Sequence, residues 1–257
     1  MLYIDPIRAF DDNYIWLIQD SERRYAAIVD PGDEAPVIEY LQQHNIKPVA
    51  ILITHHHGDH TGGIDALVSK YHIPVYGPAH EHIPAITRAL SEGDQIVLKE
   101  LGAEFQIIDA PGHTKGHILY YGHDSLFCGD TLFAGGCGRV FEGTMEQMYA
   151  AMAKIEALPD HTQIYCAHEY TEANLRFARV AEPDNRALLE RILRTQDTRR
   201  RNRPTVPSLL ALEKQTNPFL RCKVPTLIQA AERHTHRPLD TPAEVFAAVR
   251  MWKDSLD

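Results

Sequence analysis

Seven consecutive residues, Thr54-His55-His56-His57-Gly58-Asp59-His60, include five that can ligate a metal. They follow the apolar run Val49-Ala50-Ile51-Leu52-Ile53 and precede Gly62-Gly63 and a helix. Where a strand ends in extended backbone, alternate residues point the same way, so His55 and His57 can grip one ion. Gly58 lets the chain turn, and Asp59 and His60 then face a second position. Histidines and an aspartate crowded at one strand end repel on protonation and gain little from packing, which points to a cation. Neutral imidazole and carboxylate suit zinc, iron or manganese, and two ions need about seven ligands if each is to keep a place for solvent or substrate. Further donors are therefore expected elsewhere.

Three candidates sit at strand ends or turns after apolar runs, as loop-borne site residues on a rigid scaffold do. They are His113 in Ala110-Pro111-Gly112-His113-Thr114, Asp130 in Cys128-Gly129-Asp130-Thr131, and His168 in Cys166-Ala167-His168-Glu169. Taken singly, each could equally be a polar loop residue bonded to its own neighbourhood. The remaining histidines, His44, His72, His80, His82, His117, His123, His161, His234 and His236, have no comparable company and read as surface or core.

The elements that must position these donors are legible up to a point. Residues 14–19, 25–29, 49–54, 95–98, 105–108, 118–121 and 163–166 read as strands. Residues 34–44 and 63–71 have helical length and spacing, and 144–158 opens with a Thr-x-x-Gln capping box before an apolar series at Met145, Met148, Met152 and Ile155. That series reads as core. Strand runs mixed with helices suggest an α+β fold of two packed sheets with helices outside, which periodicity alone does not separate from a doubly wound α/β sheet. Beyond Cys166 the strands stop, and 171–180, 185–200, 208–214, 225–233 and 241–255 read helical. A boundary is thus expected near 166, giving domains 1–165 and 166–257.

Charge changes sign at the same place. Residues 1–165 carry 10 Lys+Arg against 23 Asp+Glu, and residues 166–257 carry 16 against 12, so the C-terminal third is fitted to meet an anion. The 191–203 run holds six arginines. It reads as a solvated helix end, because an acidic protein without interleaved aromatics is a poor nucleic-acid binder. The N-terminus lacks both a basic start and an uninterrupted apolar stretch, so neither a signal peptide nor a membrane span is expected. Cys128, Cys137, Cys166 and Cys222 form no CxxC pair and sit in apolar surroundings, as buried thiols of a reducing compartment do. The expectation is a cytoplasmic monomer without nucleic-acid or membrane partners.

The pattern His55-x-His57-x-Asp59-His60, with Gly112-His113, Gly129-Asp130 and His168, resembles the metallo-β-lactamase superfamily. The chain is more similar still to one branch, the hydroxyacylglutathione hydrolases (glyoxalase II). That likeness rests on Tyr14, residues 54–63, Gly129-Asp130-Thr131-Leu132-Phe133, Gly136-Cys137-Gly138-Arg139, His168-Glu169-Tyr170-Thr171 and Asn217-Pro218-Phe219. The resemblance implies an αββα sandwich with a smaller C-terminal all-helical domain that binds glutathione. It implies His55, His57 and His113 on one metal, Asp59, His60 and His168 on the other, and Asp130 bridging, with Asp59 and Asp130 counted among the catalytic residues. It also implies substrate contacts at Arg139, Tyr170, Arg250 and Lys253. The final helix starts well without it: Thr241 is a natural N-cap, Pro242 suits the first turn and Glu244 completes a capping box. One departure is Phe141, where some members carry Tyr.

The chemistry implied is hydrolysis of S-(2-hydroxyacyl)glutathione, notably S-D-lactoylglutathione, to glutathione and a 2-hydroxy acid, the second half of methylglyoxal removal. Two divalent ions, zinc above all, sharing one water would supply hydroxide at neutral pH and polarise the thioester carbonyl. The chain contains no Gly-x-Ser-x-Gly elbow, and Cys137 has no evident activating partner, so a side-chain nucleophile is not expected. Alternatives are a mononuclear iron dioxygenase acting on glutathione persulfide, another hydrolase of this fold, or a non-enzymatic metal-binding or RNA-processing role.

Overall fold

The computed structural model describes residues 2–256; Met1 and Asp257, the outer bounds of the two expected domains, lie outside the described residues. Chain contacts divide it into one unit of Met1–Asp109 with Thr114–Gly129 and another of Ala110–His113 with Asp130–Asp257.

In the first unit, β1 (Tyr3–Ala9), β2 (Asn13–Gln19), β3 (Tyr25–Val29), β4 (Lys47–Leu52), β5 (Val75–Pro78) and β6 (Arg88–Leu90) form a sheet in that order. The first three strands pair antiparallel, and β3 to β6 pair parallel. Parallel neighbours need crossover connections, which α1 (Glu34–His44) and α3 (Ile64–Tyr71) help supply. Asp33 caps α1 by accepting from the Ala35 amide, and Asn45 ends it in the left-handed conformation. Val37, Leu41, Ile64 and Leu67 from these helices join one buried cluster with Ile15, Leu17, Ile28, Ile51 and Val75 of the strands. The periodicity that marks each helix is thus the stripe it buries against the sheet.

The second sheet carries, within this unit, β7 (Gln95–Leu98), β8 (Ala103–Asp109), β9 (Ile118–Gly122) and β10 (Ser125–Gly129), ordered β10-β9-β8-β7. The fully buried Tyr120 of β9 reaches across to the first sheet, donating its hydroxyl to the Ile53 carbonyl at 2.9 Å and the Tyr76 carbonyl at 3.3 Å. Burial pushes this phenol's pKa well up, so it stays a donor at any working pH. The Ile118 amide likewise donates to the Thr54 carbonyl, tying the start of β9 to the end of β4, where the histidine cluster begins.

The second unit opens with the hairpin β11 (Leu132–Phe133) and β12 (Gly136–Cys137), followed by α4 (Met145–Glu156) and β13 (Gln163–Cys166). The chain continues as α5 (Thr171–Ala181), α6 (Arg186–Arg200), β14 (Ser208–Leu209), α7 (Leu210–Thr216), α8 (Pro225–Thr235) and α9 (Pro242–Asp254). Both expected capping boxes form, Thr144 with Gln147 and Thr241 with Glu244. Met148, Met152 and Ile155 are buried core, whereas Met145, at the start of the series, is only partly buried. Phe219 packs against Phe246 and Phe177, and Phe177 against Trp252, at ring separations of 5.5, 6.2 and 5.7 Å.

Three expectations need correction. Strands do not stop at Cys166, because Ser208–Leu209 pairs antiparallel with β13 and the helix expected from 208 begins at Leu210. Strands β1, β5, β6 and β10 were not legible: Pro6 interrupts the first, β5 and β6 are three or four residues long, and β10 is buried at every position and lacks alternation. The arginine run is not simply a solvated helix end. Arg191, on α6, is buried and ion-paired with Glu213, and it donates to Thr216 at 2.6 Å.

Burial alone would push the Glu213 carboxyl up, but Arg191, Ser208 and the Gly135 amide outweigh it and hold the group below its ordinary value of 4.5. A depressed carboxylate stabilises the fold above that value, and the contribution is lost as pH falls through its folded pKa. Arg191→Met strands a buried anion and is expected to cost about 3–5 kcal/mol at pH 7. The gap narrows as pH falls, because the stranded carboxyl of the variant, raised by burial, protonates first and the wild-type carboxyl does so only below 4.5, at its depressed folded pKa. Thermal denaturation followed from pH 7 down to about pH 3.5 checks both parts; a gap independent of pH would contradict the assignment.

Candidate active site

The histidine cluster occupies the loop that leaves β4. His57 has extended backbone and caps the one-turn helix α2 (Gly58–Thr61). The expected glycine turn is not a steric need: a Cβ at Gly58 would meet open space, and its φ is not positive. What makes the turn is the start of α2, with the Thr61 hydroxyl donating back to the His57 carbonyl at 3.0 Å.

Within this unit the four donors fall into two pairs. His55 Nε2 and His57 Nδ1 lie 3.1 Å apart, and His60 Nε2 and Asp59 Oδ2 lie 3.5 Å apart. Their far sides fix the tautomers through the hydrogen-bond network. Asp30 accepts at Oδ2 from the Thr54 hydroxyl at 2.7 Å and at Oδ1 from the Thr54 amide at 2.8 Å. With its own proton so placed, Thr54 Oγ1 accepts from His55 Nδ1 at 3.0 Å. His60 Nδ1 donates to Asp30 Oδ2 at 3.1 Å. Both rings therefore turn an unprotonated Nε2 toward their partner donor. Asp30, His55 and His60 offer ligand atoms within 4.8 Å of one another, but the Asp30 oxygens already hold Thr54 and His60, so Asp30 orients ligands rather than joining them. Asn13 does the same for Asp59, donating from Nδ2 to Oδ2 at 3.0 Å.

His117, read from sequence as surface or core, is fully buried and stacks on His55 at 4.8 Å between ring centroids. Gly129, at φ +45°, is required here: a Cβ would stand 2.3 Å from Thr54 Oγ1 and 2.8 Å from His117 Nε2. Asp30, Asn13 and His117 were missed because a single Asp, Asn or His at a strand end has no local signature. The Asp-Pro-Gly after β3 was the available hint that this strand ends in a tight loop.

In the second unit, Asp130 directs its two oxygens at different histidines. Oδ2 lies 3.4 Å from His113 Nε2, and Oδ1 lies 3.4 Å from His168 Nε2. His113 donates Nδ1–H to the Arg139 carbonyl at 2.8 Å, so its Nε2 is again the unprotonated nitrogen. All four separations fit the donor set to a cation. Nitrogen and oxygen ligands about 2.0–2.1 Å from a tetrahedral ion stand about 3.3–3.4 Å apart.

The same unit forms a cleft of about 510 Å³ lined by His113, Asp130, Phe133, Cys137, Arg139 and Phe141, and by Tyr170, Arg250 and Lys253 from the helical segment. Every substrate-binding residue expected from sequence thus lines one cleft. Tyr170 precedes α5 and stacks on His168 with ring centroids 4.7 Å apart and planes nearly parallel. Arg250 is fully buried, donating from Nη1 to the Cys137 carbonyl and from Nη2 to Asp254 Oδ1, both at 2.9 Å. Arg139 is half-exposed, with Nε 3.9 Å from the same Asp254 oxygen. Burial pushes the Cys137 thiol up despite Arg250, so it is not a thiolate nucleophile near neutral pH. Phe141 is exposed, its ring 5.2 Å from that of His113. All four cysteines are free and buried, and burial pushes Cys166 to about 12. No helix among the described residues is long and apolar enough to cross a membrane.

Asp30→Asn replaces an acceptor of the His60 Nδ1–H with an amide and is expected to weaken metal binding 10- to 100-fold. Competition with a chromophoric chelator measures this directly; unchanged affinity would remove Asp30 from the centre.

Comparison with known proteins places the chain. The metallo-β-lactamase superfamily model matches residues 8–168, and the model for the hydroxyacylglutathione hydrolase C-terminus matches residues 169–256. The hydroxyacylglutathione hydrolase of Nitrosomonas europaea is 54% identical over 99% of this chain and 97% of its own length. That of Alkalilimnicola ehrlichii is 53% identical over 99% of both. Among solved structures, ETHE1 from Myxococcus xanthus superposes with TM-score 0.66 at 23% identity, covering 99% of each chain. The BLEG-1 B3 metallo-β-lactamase superposes with TM-score 0.63 at 22% identity, covering 86% of this chain and 99% of its own, and these two likenesses bear on the fold alone. A further structure, 25% identical with TM-score 0.58, covers 85% of this chain and all of its own and was determined in a di-iron-bound form. The α+β fold is that of the metallo-β-lactamases with the hydroxyacylglutathione hydrolase C-terminal domain, and the chain belongs to the hydroxyacylglutathione hydrolase family.

Proposed function

We propose that the chain hydrolyses S-(2-hydroxyacyl)glutathione, S-D-lactoylglutathione among them, to glutathione and the 2-hydroxy acid, at a centre of two divalent cations. His55, His57 and His113 would hold one ion and Asp59, His60 and His168 the other, with Asp130 contributing an oxygen to each. The observation that carries this reading is the divergence of the Asp130 oxygens toward two different histidines, each at 3.4 Å. The names of the full-length relatives and the di-iron form of a structural neighbour support it. When bound, two such cations lower the pKa of a water and polarise a thioester carbonyl, zinc being the first expectation and iron or manganese equally suited to these donors.

The protein's own residues do the rest. Asp30, Thr54, Asn13 and the Arg139 carbonyl keep the donors aimed, so no reorganisation is required as charge develops. Residues 166–257 would bind glutathione together with Arg139: Arg250, Lys253 and Arg139 present cations to its carboxylates, and Tyr170 offers a hydroxyl beside His168. The leaving thiolate is a good leaving group and asks for no strong acid, consistent with a cleft whose only thiol, Cys137, is kept neutral. Four buried thiols fit a reducing compartment such as the cytoplasm. A mononuclear dioxygenase is disfavoured because Asp59, His60 and His168 are all present to build a second position.

Asp130→Ala is expected to lose metal and thioesterase turnover together. Elemental analysis beside a lactoylglutathione assay tests it, and a variant that keeps both refutes the dinuclear account. Phe141→Tyr adds a hydroxyl donor at the rim of the cleft and is expected to lower KM severalfold at unchanged kcat; an unaltered KM would rule out a hydrogen bond there.

A further inference from the structure

Buried polar side chains from the C-terminal helices converge on the hairpin β11–β12, which forms one wall of the cleft. Glu213 on α7 is wholly buried and accepts the Gly135 amide at Oε2, 2.8 Å away. Its Oε1 accepts from Arg191 and Ser208. Asn217, also wholly buried, donates from Nδ2 to the Phe133 carbonyl at 3.2 Å, the Gly136 carbonyl at 2.9 Å and Glu213 Oε2 at 3.1 Å. Asn174 on α5 donates to the Ala134 carbonyl at 3.1 Å. Four successive residues of the turn, Phe133 to Gly136, are therefore each held at the backbone by a side chain from α5, α7 or the residue that caps α7.

The turn has little freedom to relax. Gly135 sits at φ +72°, and a Cβ there would stand 2.8 Å from Leu175. The two strands bear on different parts of the cleft. From β11, the Phe133 ring stands edge-on to Tyr170 at 5.2 Å and to His168 at 5.8 Å. From β12, the Cys137 carbonyl takes the Arg250 guanidinium, and Arg139 follows two residues later. None of Arg191, Glu213 or Asn217 lines that cleft.

We propose that Glu213 and Asn217, with Arg191 neutralising Glu213, are positioning residues that set the Phe133–Cys137 hairpin and through it the substrate-binding groups Tyr170, Arg139 and Arg250. The proposal rests on the glutathione-thioester reading above. A buried carboxylate is an expensive way to hold one amide, since apolar packing of equal volume is commonly as stable. What the ionic network adds is a single geometry, because each acceptor and donor is satisfied in only one hairpin position. Loss of Asn217 frees two carbonyls and lets the wall of the cleft shift while leaving the metal donors in place, so binding of the glutathione moiety suffers before chemistry does.

The test compares three variants of the metal-loaded enzyme: Asn217→Ala, Glu213→Gln and, as a control for lost stability, Arg221→Met. Arg221 pairs with buried Glu182 at 2.6 Å in the same helical region, apart from the Asn174, Glu213 and Asn217 hydrogen bonds that hold the hairpin. Asn217→Ala and Glu213→Gln are expected to raise KM for S-lactoylglutathione about tenfold, weaken binding of free glutathione in calorimetric titration by a similar factor, and speed hydrogen exchange at the Gly135 and Cys137 amides. kcat and metal content stay within about twofold. Arg221→Met lowers Tm and leaves KM and Gly135 exchange as in wild type. Should the hairpin variants only lower Tm, or lose kcat and metal in step with KM, the positioning role is overturned. If wild type itself fails to turn over the thioester, the functional reading fails, and the exchange and glutathione titrations still decide for or against the clamp.

Discussion

Two unprotonated nitrogens, or a nitrogen and a carboxylate oxygen, that face each other at little more than 3 Å repel unless positive charge lies between them. Such confrontations recur here: His60 and His113 turn such a nitrogen to carboxylate oxygens of Asp59 and Asp130, and His55 turns one to His57, while His168 stands 3.4 Å from the other Asp130 oxygen. The tautomers that create them are imposed from behind, by Asp30 and Thr54 in one unit and by the Arg139 carbonyl in the other. Cation binding would convert this standing repulsion into stability, so metal affinity and folding draw on the same free energy.

That arrangement explains why the donors sit at strand ends. The strands β3 and β4 are largely buried, and their C-terminal ends deliver Asp30 and Thr54 side by side from consecutive parallel strands. Tyr120 and the Ile118 amide then lock β9 to the end of β4. His117 reaches His55 from the residue before β9, and Gly129, ending β10, leaves room for both Thr54 and His117. The second sheet thus fixes not the ligands themselves but the backs of the rings that carry them. Errors of half an ångström there would misdirect an imidazole lone pair, which is why orienting groups matter nearly as much as ligands.

The sequence was most legible where the physics is local. His55 to His60 announce a cation because five donors lie in six residues, and the capping boxes at Thr144 and Thr241 needed only four residues to be recognised. His113, Asp130 and His168 could be singled out as candidates, but their grouping required a family pattern, since nothing local says that one carboxylate will face two histidines. Asp30 was not legible at all: its role comes from β3 and β4 pairing in parallel, a relation spread over 24 residues. Arg250 was placed beside an apolar stripe by helical spacing, yet its complete burial depends on a carbonyl 113 residues away. Arg191 looked like part of a solvated basic run because charge counts do not reveal a buried partner such as Glu213.

The cations of the cleft are already partly spoken for, and this shapes what they can recognise. Asp254 holds Arg250 at 2.9 Å and lies 3.9 Å from Arg139, so one carboxylate on the last turn of α9 is shared by two arginines. Arg250 has been stripped of water during folding, so a ligand that approaches it meets a donor whose desolvation cost lies in the stability of the protein. An incoming carboxylate must compete with Asp254 for the more exposed Arg139, where a planar fork favours bidentate geometry over mere charge. A monoanion would gain little from that exchange. A ligand with two carboxylates, one for Arg139 and one for Lys253, gains twice without displacing the Arg250 pair, and the tripeptide thiol proposed as the substrate's carrier has two. Discrimination then comes from the spacing of charges already fixed in the fold and less from their number.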